Sequence, residues 1–314
     1  MAGQPIFVLG SFVVSCSAKV VRFPLPGESL SATSVTIEAG GKGFNLASMA
    51  RRLGMEVTGL LATGDDLAAQ FAGPALVRAD LPDSMLIRLS GPTGAGIGFT
   101  DARGETSLAI AGGANLALTA EDVRSRAHTI RGAAFVLAQF EASVPAVEES
   151  FALARRAGVP TLLNPSPFRP LTPALLRDTR ILVVNETEAR ELAVMIGADP
   201  SAVDTPKRFV DELSPAVRAK GPDGIVLTRG AAGAIACFRG ATVEQPGFSV
   251  DVVDTLGAGD AFAGTLAVRL AQHVSLERAM RDAAAAGALT TRRHGVFDAL
   301  PSAEEIEALT ARSV

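Results

Sequence analysis

The chain has no tryptophan, no tyrosine, two cysteines and three histidines among its 314 residues. Cys16 and Cys237 stand far apart, so they form no disulfide framework and no paired-cysteine metal or redox motif. His128, His273 and His294 are scattered, which argues against a zinc site. Phenylalanine, with fifteen copies, is the only aromatic residue. The net charge is −4 and no basic block or acidic tail occurs, which excludes a nucleic-acid partner held through general charge. The opening Met1-Ala2-Gly3-Gln4-Pro5 lacks the basic start of a secretory signal, and the apolar run 6–14 is too short to span a bilayer. A soluble, cytoplasmic chain with no membrane partner is the expectation. No G-x-x-x-x-G-K-[ST] sequence is present, so a nucleotide would have to bind without a P-loop. Gly94-Ala95-Gly96-Ile97-Gly98 lies in strand-like surroundings and opens no helix, which argues against a dinucleotide fingerprint and a nicotinamide oxidoreductase.

What is present is the material of an ordered core. Charged residues make up 20% of the chain and mean hydropathy is +0.30. Short apolar segments at 6–9, 57–61, 134–138, 161–163, 181–184 and 225–228 read as buried strands. Longer helical patterns, such as 144–157, 186–195 and 207–220, alternate with them. That alternation predicts an α/β fold with a central, mostly parallel sheet flanked by helices. A single domain over 1–314 is expected. Two turn-rich segments, about 22–38 and 87–109, break the alternation and read as a small β-sheet standing off the main body, either as a lid or as an exposed edge extension without a gating role.

Two glycine-rich segments each open a helical pattern. In the first, Asp254-Thr255-Leu256-Gly257-Ala258-Gly259-Asp260-Ala261-Phe262, small residues bring bare N–H groups to a helix N-terminus, where an anion is favoured. Asp260 sits at the same spot. It reads either as a helix N-cap, or as a general base whose substrate becomes an anion, as in phosphoryl transfer to a hydroxyl. The second segment is Gly40-Gly41-Lys42-Gly43-Phe44-Asn45-Leu46-Ala47.

In this order, about two hundred residues apart, the two segments resemble the paired signatures of the ribokinase-like (PfkB) carbohydrate kinases, nearest the ribokinase branch. The resemblance covers roughly 6–306 and implies a ribokinase-like fold, ATP as phosphoryl donor and a sugar as acceptor. It makes Asp260 the base and the amides of Gly257, Ala258 and Gly259 the anion hole. Gly40, Gly41, Lys42, Asn45 and Glu141 become sugar-binding residues; Asn164 and Gly113-Ala114-Asn115 also match ribokinase segments. Asn185, Thr228, Gly230 and Gly233 match the nucleotide site, and Glu188 a magnesium position reached through water. Asp254 and the carbonyl of Leu256, with the loop reaching Gly295, match positions that bind a monovalent cation, so potassium is implied as an activator. Locally, Asn185 and Glu188 also read as a capping box, and Asp254 as a turn-capping carboxylate. Arg229, where relatives often carry an apolar residue, reads either as reaching a phosphate or as facing solvent, with solvent favoured. Dimerisation through the lid is carried over from the family.

The chain departs from the family just after its first strand. An Asn-x-Asp element is replaced by Val13-Val14-Ser15, so a carboxylate that grips two sugar hydroxyls has become one hydroxyl. Sites built to bond a hydroxyl discriminate strongly. Ribose itself is therefore not the expected acceptor; the acceptor lacks a hydroxyl, presents it differently, or binds through Ser15, Cys16, Ser17 or Lys19. A nucleoside kinase and a catalytically weak sugar-binding protein on the same scaffold are the alternative readings.

Overall fold

Runs of consecutive apolar residues form strands that are covered on both faces. The computed structural model describes residues 3–103 and 105–312. Its strands are β1 (Ile6–Ser11), β2 (Val13–Lys19), β3 (Ser34–Gly40), β4 (Val57–Thr63), β5 (Leu86–Arg88), β6 (Gly94–Thr100), β7 (Thr106–Ala111), β8 (Phe135–Gln139), β9 (Thr161–Asn164), β10 (Ile181–Asn185), β11 (Gly224–Thr228), β12 (Ala234–Phe238) and β13 (Ala241–Gln245). All six segments read as strands from their hydrophobicity are strands. Among the described residues, nine strands form one sheet in the order β13-β12-β11-β10-β9-β8-β1-β4-β5. It is parallel from β5 to β11, and β12 and β13 return antiparallel.

Alternate residues of β1 feed two separate cores. Ile6 and Val8 pack with Phe44, Met49, Phe262 and Leu266 on one face. Phe7 and Leu9 pack with Val147, Phe151 and Leu192 on the other. Both faces of a parallel sheet are expected to be covered in this way. The helix Ala258–Ala271 is buried along most of its length and crosses the helix Lys42–Arg52 closely at Gly264. A Cβ added there would lie 3.1 Å from the Met49 Cβ. This close crossing brings the first turns of the two glycine-led helices together.

The segment 207–220 is helical but not a single α-helix. Pro206–Arg208 and Ser214–Arg218 are α-helical, and Phe209–Leu213 between them is a π-helix. Pro215 has no N–H for the helical ladder, and a π turn is one way a helix absorbs such a break.

The second sheet has the order β3-β2-β6-β7. Its limits differ from the segments 22–38 and 87–109. It starts at Val13, one residue beyond β1; residues 20–33 contribute no strand; and Ile87 belongs to β5 of the main sheet. The small residues of Val13–Lys19 carry little hydrophobic pattern, which hid β2 behind the apolar run before it. The sheet grows from the body along one line of close backbone neighbours, Val13, Gly40 and Gly94. Phe12, the joint between β1 and β2, is pinned by Asn115: its N–H donates to Asn115 Oδ1 (3.0 Å) and its carbonyl accepts from Asn115 Nδ2 (2.8 Å). Among the described residues, no helix is long and apolar enough to cross a membrane.

Candidate active site

In open parallel sheets, ligands bind beyond the C-terminal strand ends where the strand order reverses. Here β1 lies between β4 and β8, and the chain proceeds in opposite directions on its two sides. The ends of β1, β8, β10 and β11 carry Ser11, Gln139, Asn185 and Thr228.

Asp260 is 4% exposed and lies in the first turn of the helix Ala258–Ala271. The N-cap is Gly257, in the left-handed region at φ 76°, with no side-chain cap bond. The structure therefore decides against Asp260 as the cap. Its carboxylate points away to the other glycine-led helix, where Oδ2 accepts from Asn45 Nδ2 at 2.7 Å. Oδ1 lies 3.5 Å from Lys42 Nζ. Asn45 Oδ1 is buried and has no hydrogen-bond partner among the described residues. A Cβ added at Gly259 would meet nothing within 4 Å, so the space before this turn is open. The Ala258 amide makes a long bond, 3.4 Å, to the Thr255 carbonyl.

Lys42 gathers the charge of the site. Burial lowers its pKa, but the carboxylates of Asp260, Glu141 and Glu188 outweigh it and hold the ammonium above its ordinary value. Those three acids come from distant parts of the sequence and face one ammonium group. Glu141 is 6% exposed, and its Oε2 accepts from the Ser11 hydroxyl (2.6 Å) and the Lys42 N–H (2.9 Å). Gly41 must be glycine: at φ 101°, a Cβ would stand 2.8 Å from the Ser11 carbonyl. Gly40 ends β3 opposite Val13.

Asn185 caps the helix Glu186–Ile196 through a full capping box. Its Oδ1 accepts from Glu188 N (2.8 Å), and Glu188 Oε2 accepts from Asn185 N (3.0 Å). Glu188 is 5% exposed. Among the described residues, no three His, Cys, Asp or Glu side chains are grouped to hold a metal ion. A magnesium ion beside Glu188 would draw most of its ligands from water and phosphate oxygens, which is its usual habit. Thr228 stands in register with Asn185, and its hydroxyl donates to the Val184 carbonyl at 3.3 Å. Gly230 (φ 52°) and Gly233 (φ 91°) shape the following loop. Arg229 does not face solvent freely; it lies 3.6 Å from Glu244, because β13 returns beside this loop.

Asp254 Oδ1 accepts from the Leu256 N–H at 3.1 Å. Its own N–H, and that of Val253, donate to the Thr291 carbonyl at 3.1 and 2.7 Å. The segment reaching Gly295 is thus brought against the Asp254 turn. Gly295 touches the small sheet, since a Cβ there would lie 2.9 Å from Glu38 Oε2. Nearby, Lys19 Nζ lies 3.2 Å from His294 Nε2.

Ser15 pairs with Glu38 and Gly96. A Cβ at Gly96 would meet Ser15 Oγ (3.3 Å), Val13 Cγ1 (3.8 Å) and Leu108 Cδ1 (3.8 Å). Val13, Ser15, Glu38 and Leu108 therefore share the face turned toward the body, and Ser17 lies on it as well. Strand alternation turns Cys16 to the opposite face, which removes it as a substitute sugar contact.

Sequence reading missed Ser11, Gln139 and Glu38. The first two are fully buried, and their positions at the ends of β1 and β8 were the available signal. Glu38 has a raised pKa, first through burial and then through the charges of Asp298 and Asp254, with Arg78 opposing. The folded protein therefore binds this proton more readily than the unfolded chain. The stability it contributes is full below the ordinary carboxylate range and is lost as pH rises through the raised value. Glu38→Gln should raise Tm at pH 7.5 and leave it unchanged near pH 4, as thermal melts at the two values would read.

The pfkB family carbohydrate kinase model matches residues 4–303. A ribokinase of Staphylococcus aureus is 31% identical over 96% of this chain and 98% of its own length. A deoxyribokinase of Salmonella typhimurium is also 31% identical, over 96% of both chains. A bifunctional ribokinase/ribose-5-phosphate isomerase A of Fructilactobacillus sanfranciscensis is 33% identical over 96% of this chain, which spans 55% of that longer protein. Among solved structures, Arabidopsis thaliana ribokinase complexed with ribose and ATP superposes with a TM-score of 0.88 at 27% identity, covering 99% of each chain.

Proposed function

The chain belongs to the pfkB family of carbohydrate kinases and is an ATP-dependent carbohydrate kinase, and on that premise we propose that it phosphorylates a sugar other than ribose, with Asp260 as general base. The observation that carries this reading is the placement of Asp260. It is a buried carboxylate held by Asn45 at 2.7 Å and Lys42 at 3.5 Å, at a helix N-terminus with open space before Gly259. Asp260 takes the proton of the acceptor hydroxyl as its oxygen bonds to the γ-phosphorus. The bond from that phosphorus to the bridging oxygen breaks, and ADP leaves with the electron pair. The N–H groups of Gly257, Ala258 and Gly259, with the helix dipole behind them, stabilise charge on the transferring group. The long Ala258–Thr255 bond leaves that amide easily recruited.

Asn185, Thr228, Gly230 and Gly233 form the nucleotide side of the site. Glu188 would hold magnesium through water, and the ion would neutralise phosphate charge. The turn Asp254–Leu256 and Gly295 form the proposed potassium site. The small sheet acts as a lid over the acceptor, excluding water that would compete with it. Its outer face exposes Val35, Ile37 and Ile97 at 59, 56 and 60%, which supports a homodimer through that face. A cytoplasmic location, where ATP is supplied, belongs to the same proposal.

Under the lid, the acceptor meets Val13, Ser15 and Leu108 on one side and Glu141, Lys42 and Asn45 on the other. At the Ser15 position the lid offers one hydroxyl where a carboxylate would satisfy two sugar hydroxyls, so an acceptor poorer in hydroxyls there is favoured. The test is a coupled ADP-release screen over pentoses, hexoses, deoxy sugars, sugar acids and nucleosides, with and without potassium. Ribose should not rank first, and Val13→Asn with Ser15→Asp should raise kcat/KM for ribose by roughly tenfold or more. Ribose as the best wild-type acceptor would overturn the assignment.

A further inference from the structure

Glu141 does not stand alone in the crevice between β1 and β8. Its carboxylate ends a hydrogen-bond chain that starts at Gln139, a fully buried side chain. Gln139 Oε1 accepts from the Glu141 N–H and from the Ala142 N–H (3.3 Å). Two backbone donors on that atom make it the carbonyl oxygen, so the amide NH₂ faces the other way. There Gln139 Nε2 donates to Ser11 Oγ at 2.9 Å. The Gly43 N–H reaches the same oxygen at 3.3 Å. A hydroxyl has one hydrogen and two lone pairs. With both lone pairs occupied, the Ser11 hydrogen has one direction left, toward Glu141 Oε2 at 2.6 Å. The Lys42 N–H donates to the same Oε2 at 2.9 Å. No hydrogen bond within the described residues reaches Oε1.

We propose that Gln139 and Ser11 are positioning residues for the acceptor. Their chain has a single polarity, and that polarity fixes Oε2 to the scaffold and leaves Oε1 as the oxygen offered to a sugar hydroxyl. This rests on the reading of Glu141 as an acceptor-binding carboxylate. The backbone ties of Gln139 also make its side chain part of the turn that carries Glu141, so the aim of the carboxylate and the course of the chain are set together.

Gln139→Glu tests the polarity without changing the shape. One oxygen of the new carboxylate still accepts from the Glu141 and Ala142 N–H groups. The other cannot donate to Ser11, so it competes with Glu141 for the single hydroxyl hydrogen. Ser11→Ala removes that hydrogen directly. A bond from a neutral donor to a charged group is worth enough that losing it should raise the acceptor KM by about tenfold or more.

The experiment is steady-state kinetics with D-ribose and 2-deoxy-D-ribose as acceptors, on wild type, Gln139→Glu, Ser11→Ala, the double variant and Glu141→Gln, with thermal melts of each. The expected result is a raised acceptor KM in both single variants, with kcat and the ATP KM within about threefold, and no further rise in the double variant, as for residues acting through one chain. Should Gln139→Glu not fold, Ser11→Ala carries the test alone. An unchanged acceptor KM in Ser11→Ala, or an equal loss across acceptor KM, ATP KM and kcat, overturns the proposal. If Glu141→Gln raises the acceptor KM while these variants do not, only the positioning role fails. If Glu141→Gln leaves it unchanged, the acceptor role of Glu141 itself fails.

Discussion

Asp260→Asn should lower kcat by about a thousandfold, within the range that general-base catalysis contributes, while the KM for ATP changes little. The substitution keeps the shape of the side chain, and its amide oxygen can still accept from Asn45 Nδ2. It cannot take a proton from the acceptor. It also removes the negative partner 3.5 Å from Lys42, but Glu141 and Glu188 still face that ammonium, so the local fold should persist. A loss confined to kcat is the mark of an interaction made in the transition state. Coupled ADP release with saturating ATP and the best acceptor gives the measurement, and a melt reports the fold. Turnover near the wild-type rate would remove Asp260 from the mechanism. A wild type that turns over no acceptor would instead point to a sugar-binding protein on a kinase scaffold.

The largest structural effect should come from a single methyl group. At Gly43 an added Cβ would overlap the Ser11 nitrogen and the Gly10 Cα, and would lie 2.6 Å from the Gly10 carbonyl carbon. The contact is reciprocal, because a Cβ at Gly10 would overlap Gly43. All of the obstructing atoms are backbone, so no side chain can rotate aside. The helix Lys42–Arg52 would have to lift from the end of β1, which carries Ser11. Overpacking of this kind commonly costs about 1–3 kcal/mol. Rigid backbone on both sides places Gly43→Ala at the upper end or beyond, with a Tm lower by on the order of 5 °C or more. Acceptor binding should be lost along with stability, since Lys42 and Asn45 move with the helix. Gly73 is the control: it is helical, and a Cβ there meets nothing within 4 Å, so Gly73→Ala should be neutral or stabilising. Equal melting temperatures for Gly43→Ala and wild type would show that the crevice yields more easily than its geometry indicates.

Much of this was legible in the sequence because it is encoded locally. Strands buried on both faces are apolar runs, and the six read from hydrophobicity are strands. Helix starts announced themselves through Gly40–Ala47 and Gly257–Asp260. The capping box of Asn185 and Glu188 follows from their spacing of three. What local pattern could not settle was partnership across the chain. Whether Asp260 caps its helix cannot be read until Asn45, 215 residues away, is seen to hold its carboxylate. Ser11 and Gln139 carry no signature of their own, since their meaning lies in a bond across 128 positions. Arg229 was misread because its partner, Glu244, arrives on an antiparallel return. β2 was overlooked because a strand of small residues has almost no period to detect.

The small sheet leaves and rejoins the body along a single line. Residues 13–40 and 94–111 form two loops out of the main chain path, and the nine-stranded sheet keeps its order without them. Phe12, held at both its N–H and its carbonyl by Asn115, marks where one unit hands over to the other. On the proposed assignments, substitutions at Val13 and Ser15 above that seam should change what the enzyme accepts, while those at Asp260 and Glu188 below it should change whether it can transfer phosphate at all. Val13 and Ser15 lie one and three residues above it; Asp260 and Glu188 lie below. A lineage can therefore re-cut its substrate preference in one exchangeable cassette and inherit its chemistry intact, and a laboratory could graft a related sheet at the same seam to do likewise.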